Sequence, residues 1–197
     1  MTTSASLTIA DLGSPAQRDR RRRMLDAAVE LASQGGFDAV QMRAVAVRAD
    51  VALGTLYRYF PSKIHLLVSA LAAEFERAEV RGRDEAVPGG TAGDRVMHLL
   101  AGHTRAMQRE PRLTEALTRA FMFADASVAS EIREVERLLT TMLTRAMAGS
   151  GRESDDLAIA GVVADVWLAS LVGWVTGRTS AEDVLRRMDG AVRLLLP

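Results

Sequence analysis

Apolar residues recur at three- and four-residue intervals along most of the chain, the period of one face of an α-helix, and two-residue alternation is scarce. This pattern predicts an all-α protein. A first helix is expected from Gln17, with Met24, Leu25, Ala28 and Ala32 on one face. Gly35-Gly36 ends it, since glycine takes a positive φ without steric cost. Phe37 is expected to anchor the following turn in the core. Two short helices come next, one from Gln41 or Met42 to Ala49 and one from Leu53 to Tyr59. Met42, Val45, Ala46 and Ala49 face inward on the first. On the second, Leu56 and Phe60 face inward while Thr55, Tyr57, Arg58 and Tyr59 ring the rest. Pro61 blocks continuation, and Ser62 offers an N-cap for a fourth helix to about Asp84. Its expected stripe is Ile64, Leu67, Val68, Leu71 and Phe75.

Val87 to Gly93 reads as a linker. A helix from Asp94 to Glu110 follows, and Pro111 suits the first position of another, Arg112 to Phe123. A long helix from Asp125 to Ala148 is broken by Gly149-Ser150-Gly151. A very apolar helix from Glu153 to Thr176 follows, and Ser180 caps a last one ending near Leu196. The expected organisation is a flexible N-terminal arm over residues 1–16, a three-helix helix-turn-helix head over 17–61 and a C-terminal helical body over 62–197.

Composition narrows this picture. A chain of 197 residues with 48% hydrophobic and 25% charged residues buries an ordinary core. It holds no cysteine, which removes disulfides, thiolate metal sites and a thiol nucleophile. The first residues lack the basic start and apolar run of a signal peptide, and no apolar run is expected to reach the length of a membrane span, so a cytoplasmic protein without a membrane partner is expected. The net charge is zero but unevenly placed. Up to His65, nine basic residues face six acids; beyond it, sixteen face nineteen. A positive head on a slightly negative body suits nucleic-acid binding, although fluctuations of this size also arise without function. Arg20 to Arg23 cluster near a helix start, where cations oppose the macrodipole; they read either as an anion-binding patch or as a solvated face.

The two short helices around Asp50–Ala52 have the spacing that places a second helix in a DNA major groove. Gln41 and Arg43 at the start of the first, with Leu53, Gly54 and Thr55 at the exposed start of the second, are candidates for base contact. Arginine matches the guanine acceptor pair, and threonine or leucine methyls match the thymine methyl. Tyr57 and Tyr59 carry phenol hydroxyls long enough to reach phosphates, and Lys63 places an ammonium at a helix start. The run GTLYRYFPSK, within GFDAVQMRAVAVRADVALGTLYRYFPSKIHLL (Gly36 to Leu67), resembles the head of the TetR family of bacterial transcriptional regulators. The resemblance implies double-stranded operator DNA as partner and phosphate contacts at Tyr57, Tyr59 and Lys63. Two positions depart from the family pattern. Asp50 replaces a common glycine in the turn but tolerates the left-handed region, and Ala52 replaces a serine cap at a loss of about 1 kcal/mol.

The body shows no catalytic constellation. Of the three histidines, His98 and His103 lie five apart, not at ligand spacing, and read as surface or core residues; no metal or cofactor is expected, and the chain is not an enzyme. Met97, Leu100, Thr104, Met107, Leu117, Phe121, Met122, Met142, Met147, Trp167, Leu171 and Trp174 supply adaptable apolar surface for a lipophilic ligand, or equally an ordinary bundle core. LGSPAQRDRRRRMLDAA and RAMQREPRLTEALTRAFMFADASVASE, with the head, are similar to a branch of the TetR family that represses sterol-catabolism genes. This implies a steroid-CoA thioester as inducer. The family resemblance also implies a homodimer through the last two helices, where Val162 to Trp174 and Val184 to Leu196 are too apolar to stand exposed. Two alternatives remain at this level: a regulator of another hydrophobic ligand, and a lipid-sequestering protein with a vestigial head.

Overall fold

The computed structural model describes residues 14–148 and 155–196, and among them nine α-helices and no strand occur. They are α1 (Pro15–Ala39), α2 (Met42–Arg48), α3 (Leu53–Tyr59), α4 (Lys63–Gly82), α5 (Ala92–Arg109), α6 (Pro111–Met122), α7 (Ala129–Met147), α8 (Asp156–Val175) and α9 (Ala181–Leu195).

Local capping sets two starts, those of α1 and α5, earlier than apolar periodicity predicts. Ser14 Oγ accepts from the Gln17 N–H while the Gln17 side chain accepts from the Ser14 N–H, and Pro15 takes the first helical position. Ser14 to Ala16 therefore belong to the head helix and not to an arm; residues 1–13 of the expected arm lie outside the described residues. Thr91 and Asp94 form the same reciprocal pair, which starts α5 inside the expected linker. Those hydrogen bonds hold the Asp94 carboxyl below its usual range. Ser180 and Asp183 cap α9 in the same way. Before α7, Asp125 caps a single 3-10 turn, Ala126–Val128, so the long helix starts four residues later than expected. Residues 153 and 154 of the expected α8 are outside the described residues.

The described chain packs as two compact units. The first takes in the residues up to Glu74 together with Pro111–Arg133. Its core holds Met24, Leu25, Val45, Leu56, Tyr59, Phe60, Leu66 and Leu67. Within it α1 packs on α6 and α2, and α2 packs on α3. Gly35 and Gly36 break the helical path of α1, Gly36 at φ 70°, before a last turn ends at Ala39. There the Phe37 N–H donates to Glu115 Oε2 at 2.9 Å, and the Arg112 guanidinium donates to the Gln34 carbonyl. Phe37 is only half-buried. Its ring meets the Lys63 ammonium at 3.8 Å and the Arg119 guanidinium at 4.5 Å, so it serves as a cation platform in place of the expected core anchor. From His65 to Ala72, α4 is buried on every side, not on a single stripe. His65 Nδ1 lies 2.9 Å from Ser62 Oγ, and its Nε2–H donates to the Ser127 carbonyl at 3.1 Å.

The second unit takes in Phe75–Glu110 and the residues from Glu134 onward. Within it α9 packs on both α8 and α5. Glu79, nearly buried, pairs with Arg145 at 3.0 Å. Arg95 donates to the carbonyls of Ala146 and Ala148 at 2.7 and 2.8 Å, satisfying backbone acceptors that the end of α7 leaves open. α8 is long and apolar enough, by length and composition, to cross a membrane, contrary to the sequence-based expectation that no stretch would be. One face of it, with Ile159, Val163, Trp167 and Leu171, is buried within this unit.

Candidate nucleic-acid interface and ligand cavity

The turn between α2 and α3 is built by one unusual backbone angle. Asp50 stands at φ 53°, among the described residues the one non-glycine with a positive φ, as its short polar side chain permits. The Val51 N–H then reaches back to the Ala46 carbonyl at 3.0 Å. Val45, Ala46, Leu56 and Phe60 bury the inner faces of the two helices. As anticipated, Ala52 sits at the N-cap of α3 with no side-chain hydrogen bond.

The outward face carries most of the anticipated DNA-contacting residues. Gln41, Arg43, Gly54 and Tyr57 are exposed, with Leu53 and Thr55 half-buried beside them. A Cβ at Gly54 would meet nothing, so a duplex backbone has open access there. Arg43 carries no ion pair among the described residues, whereas Arg48 is paired with Glu30. Arg58, exposed beside Tyr57 and also without an ion pair among the described residues, belongs with this face, although motif reasoning passed over it. Its signal is its position on α3 away from the Leu56–Phe60 face. In the Arg20–Arg23 cluster, Arg21 lies over the Phe60 ring at 5.5 Å, Arg22 pairs with Asp19 at 3.1 Å and Arg23 approaches Asp50 at 4.0 Å. The exposed pairs are worth little and leave both charges available to phosphate.

Two anticipated positions differ. Tyr59 is 2% exposed and its ring lies 6.3 Å from that of Phe60. Three residues after Leu56, it falls on the inner face of α3 and completes the core instead of ringing the surface. Lys63 directs its ammonium onto the Phe37 ring, and partial burial lowers its pKa, offset in part by Asp38 and reinforced by the Arg119 charge. It is not presented as a free phosphate grip in this structure.

In the second unit, Leu99, Leu100, His103, Leu139, Met142, Leu143 and Trp167 line a small space of about 10 Å³. Leu100, Met142 and Trp167 were expected to line it, and Thr104 stands beside it, accepting from the Trp167 indole N–H at 3.3 Å. Met147 and Leu171 are buried but do not line this space; Met97, Met107 and Trp174 are half-buried away from it. Leu117, Phe121 and Met122 belong to the other unit, and Met122 is 45% exposed, so it is a surface residue. His103 joins the cavity unexpectedly. Its Nδ1–H donates to the Leu99 carbonyl at 2.9 Å, and its ring packs 6.2 Å from Phe75 and 6.1 Å from Trp167. Its Nε2 is buried without a hydrogen-bond partner, a deficit that costs about 1–3 kcal/mol. Burial pushes its pKa below the ordinary 6.5, assisted by Arg81 and opposed by the Leu99 bond. Its place on the inward stripe of α5, four residues after Leu99, was the available sequence signal.

An open helix-turn-helix face on a unit built from α1, α2, α3, α6 and the start of α4, with α5, α8 and α9 in a second helical unit, is the architecture of a DNA-binding regulator. The chain belongs to the tetR family of bacterial regulatory proteins: residues 24–70 match the model described as "Bacterial regulatory proteins, tetR family", and residues 89–195 match "Tetracyclin repressor-like, C-terminal domain". It is 57% identical over 193 residues, 98% of this chain and 90% of the relative, to a Rhodococcus jostii (strain RHA1) protein named HTH-type transcriptional repressor KstR. Among solved structures it resembles a TetR transcriptional regulator from Rhodococcus sp. RHA1, with a TM-score of 0.83, 33% identity and coverage of 92% of this chain and 97% of the other. It also shares the fold of Thermus thermophilus FadR, a repressor solved in complex with lauroyl-CoA, with a TM-score of 0.70, 19% identity and coverage of 89% and 93%. The chain is thus a TetR-type transcriptional repressor and not an enzyme.

Proposed function

We propose that this repressor binds a palindromic operator as a homodimer, controls sterol or related lipid catabolism genes, and is released by a hydrophobic CoA thioester, a steroid-CoA above all. The observation that carries the DNA-binding half is the exposed face of Gln41, Arg43, Gly54 and Tyr57 over a buried Val45–Leu56–Phe60 core. Arg43 and Thr55 read base edges, Tyr57 and Arg58 hold phosphates, and Lys63 joins them when it leaves Phe37. Such a regulator works in the cytoplasm, where bacterial DNA lies.

The ligand half rests on the apolar cavity, on the resemblance to the sterol-catabolism branch, and on a fold neighbour that holds lauroyl-CoA. At about 10 Å³, room for about one water, the cavity is far below the roughly 300–1,000 Å³ of ordinary ligand sites, so ligand entry must separate α5, α7 and α8. That expansion is the differential interaction that lets a ligand favour one state over the other. α4, which carries residues of both units, is the lever that changes the spacing of the two heads. Dimerisation through α8 and α9 is supported by apolar residues left exposed there, Leu157, Val162 and Leu194.

Selection of bound duplexes from a random pool by the full-length protein tests this reading. It predicts enrichment of inverted repeats occupied by an even number of chains, with affinity that falls steeply as salt rises. Recovery of no common sequence, or of single unrepeated half-sites, contradicts it.

A further inference from the structure

We infer that His103 is a ligand-recognition residue, whose Nε2 accepts a hydrogen bond from an O–H or N–H group that the inducer carries into the cavity of α5, α7 and α8. This rests on the proposed release by a hydrophobic CoA thioester and specifies what such a ligand must present.

The ring's tautomer follows from its neighbours. A backbone carbonyl only accepts, so the 2.9 Å contact with Leu99 requires the proton on Nδ1. Burial disfavours a second proton, which leaves Nε2 a bare acceptor. That atom is shut off from solvent and unpartnered. The other residues around the space cannot serve it. Leu99, Leu100, Leu139, Met142 and Leu143 have no side-chain donor, and the Trp167 indole N–H is already given to Thr104. A leucine or phenylalanine would fill the same place against Phe75 and Trp167 without an orphaned acceptor. An acceptor stationed in an otherwise apolar wall is a specificity device, because a ligand lacking the donor leaves it unpaired. A steroid-CoA offers two sources of the same chemistry, a ring hydroxyl and the amide N–H groups of its pantetheine arm.

The test is calorimetric titration of the full-length protein and its His103→Phe and His103→Gln variants. Three probes are used: a 3-hydroxysteroid CoA thioester, its 3-oxo counterpart, and the free 3-hydroxysteroid acid. His103→Phe is expected to weaken, by about tenfold, each probe that delivers the donor, and to leave the others within about twofold. His103→Gln, whose side-chain oxygen can stand in for Nε2, is expected to restore most of the loss. Loss confined to the two hydroxyl-bearing probes assigns the ring hydroxyl; loss confined to the two thioesters assigns the pantetheine amides. Affinities unchanged by His103→Phe, or lost equally for all probes without rescue by glutamine, overturn the inference while leaving the CoA-thioester reading in place. Failure of all three probes to bind the unaltered protein overturns both.

Discussion

The Glu115 carboxylate accepts the backbone N–H of Phe37 at 2.9 Å, joining α6 to the end of α1 across 78 positions of sequence. The contact explains the glycine before it: a Cβ on Gly36 would stand 2.9 Å from the same oxygen, at a φ that side chains avoid. Glu115→Ala leaves the Phe37 N–H unpaired and also removes one of the two carboxylates paired with Arg119, at 3.4 Å, leaving Asp38 at 3.5 Å. The expected loss is about 1–3 kcal/mol of stability in urea denaturation. Glu115→Gln, which keeps an acceptor, loses less than the alanine variant.

The bare N-cap of α3 is a place where the protein gains from substitution. Ala52 stands in extended conformation with its side chain giving nothing to the helix. Ala52→Ser supplies an acceptor for an α3 N–H and is expected to raise stability by about 1 kcal/mol. A thermal melt of the full-length variant checks this; an unchanged midpoint contradicts the cap geometry.

Tyr57 and Tyr59 sit two residues apart and are expected to respond oppositely. Tyr57 is 46% exposed, so Tyr57→Phe removes a surface hydroxyl and lowers operator affinity severalfold without loss of stability. Tyr59 lies in the core, so Tyr59→Ala costs about 3–5 kcal/mol of stability. Arg58→Ala weakens binding to all duplexes alike and reduces the salt slope by about 1, whereas Arg43→Ala relaxes selectivity at one base pair. Anisotropy titrations at several salt concentrations separate these outcomes.

His103 also makes a pH prediction. Its folded pKa lies below the ordinary value of 6.5, so the unfolded chain binds the proton first. Unfolding free energy is therefore fully present above pH 6.5 and falls as pH drops from 6.5 through the lower folded value. His103→Phe removes that part of the acid sensitivity, which urea titrations between pH 7.5 and about pH 5 measure.

Much of the fold was legible because it is written in local chemistry. The bounds of α3 follow from Pro61 and from the Leu56–Phe60 spacing, and the α9 cap follows from Ser180. The α1 and α5 starts were misplaced because apolar periodicity outweighed the Ser14–Gln17 and Thr91–Asp94 capping pairs. Less was legible at the sites. Tyr59 and Tyr57 look alike in a motif, and only the packing of a seven-residue helix separates the buried ring from the exposed one. Lys63 on Phe37, Glu115 on the Phe37 amide and the grouping of α6 with the head depend on distant segments meeting, which no local pattern encodes. Histidine spacing bears on metal ligation and does not mark His103, whose significance comes from an unpaired nitrogen in an apolar wall.

The proposed function couples an operator-binding face to a lipophilic effector within one chain. The most direct measurement follows the anisotropy of a selected palindromic duplex bound by the full-length protein as a steroid-CoA thioester is added. Saturable loss of anisotropy, returning it to that of free DNA, is the predicted result. A duplex that stays bound while calorimetry shows the thioester binding the same protein would contradict this coupling.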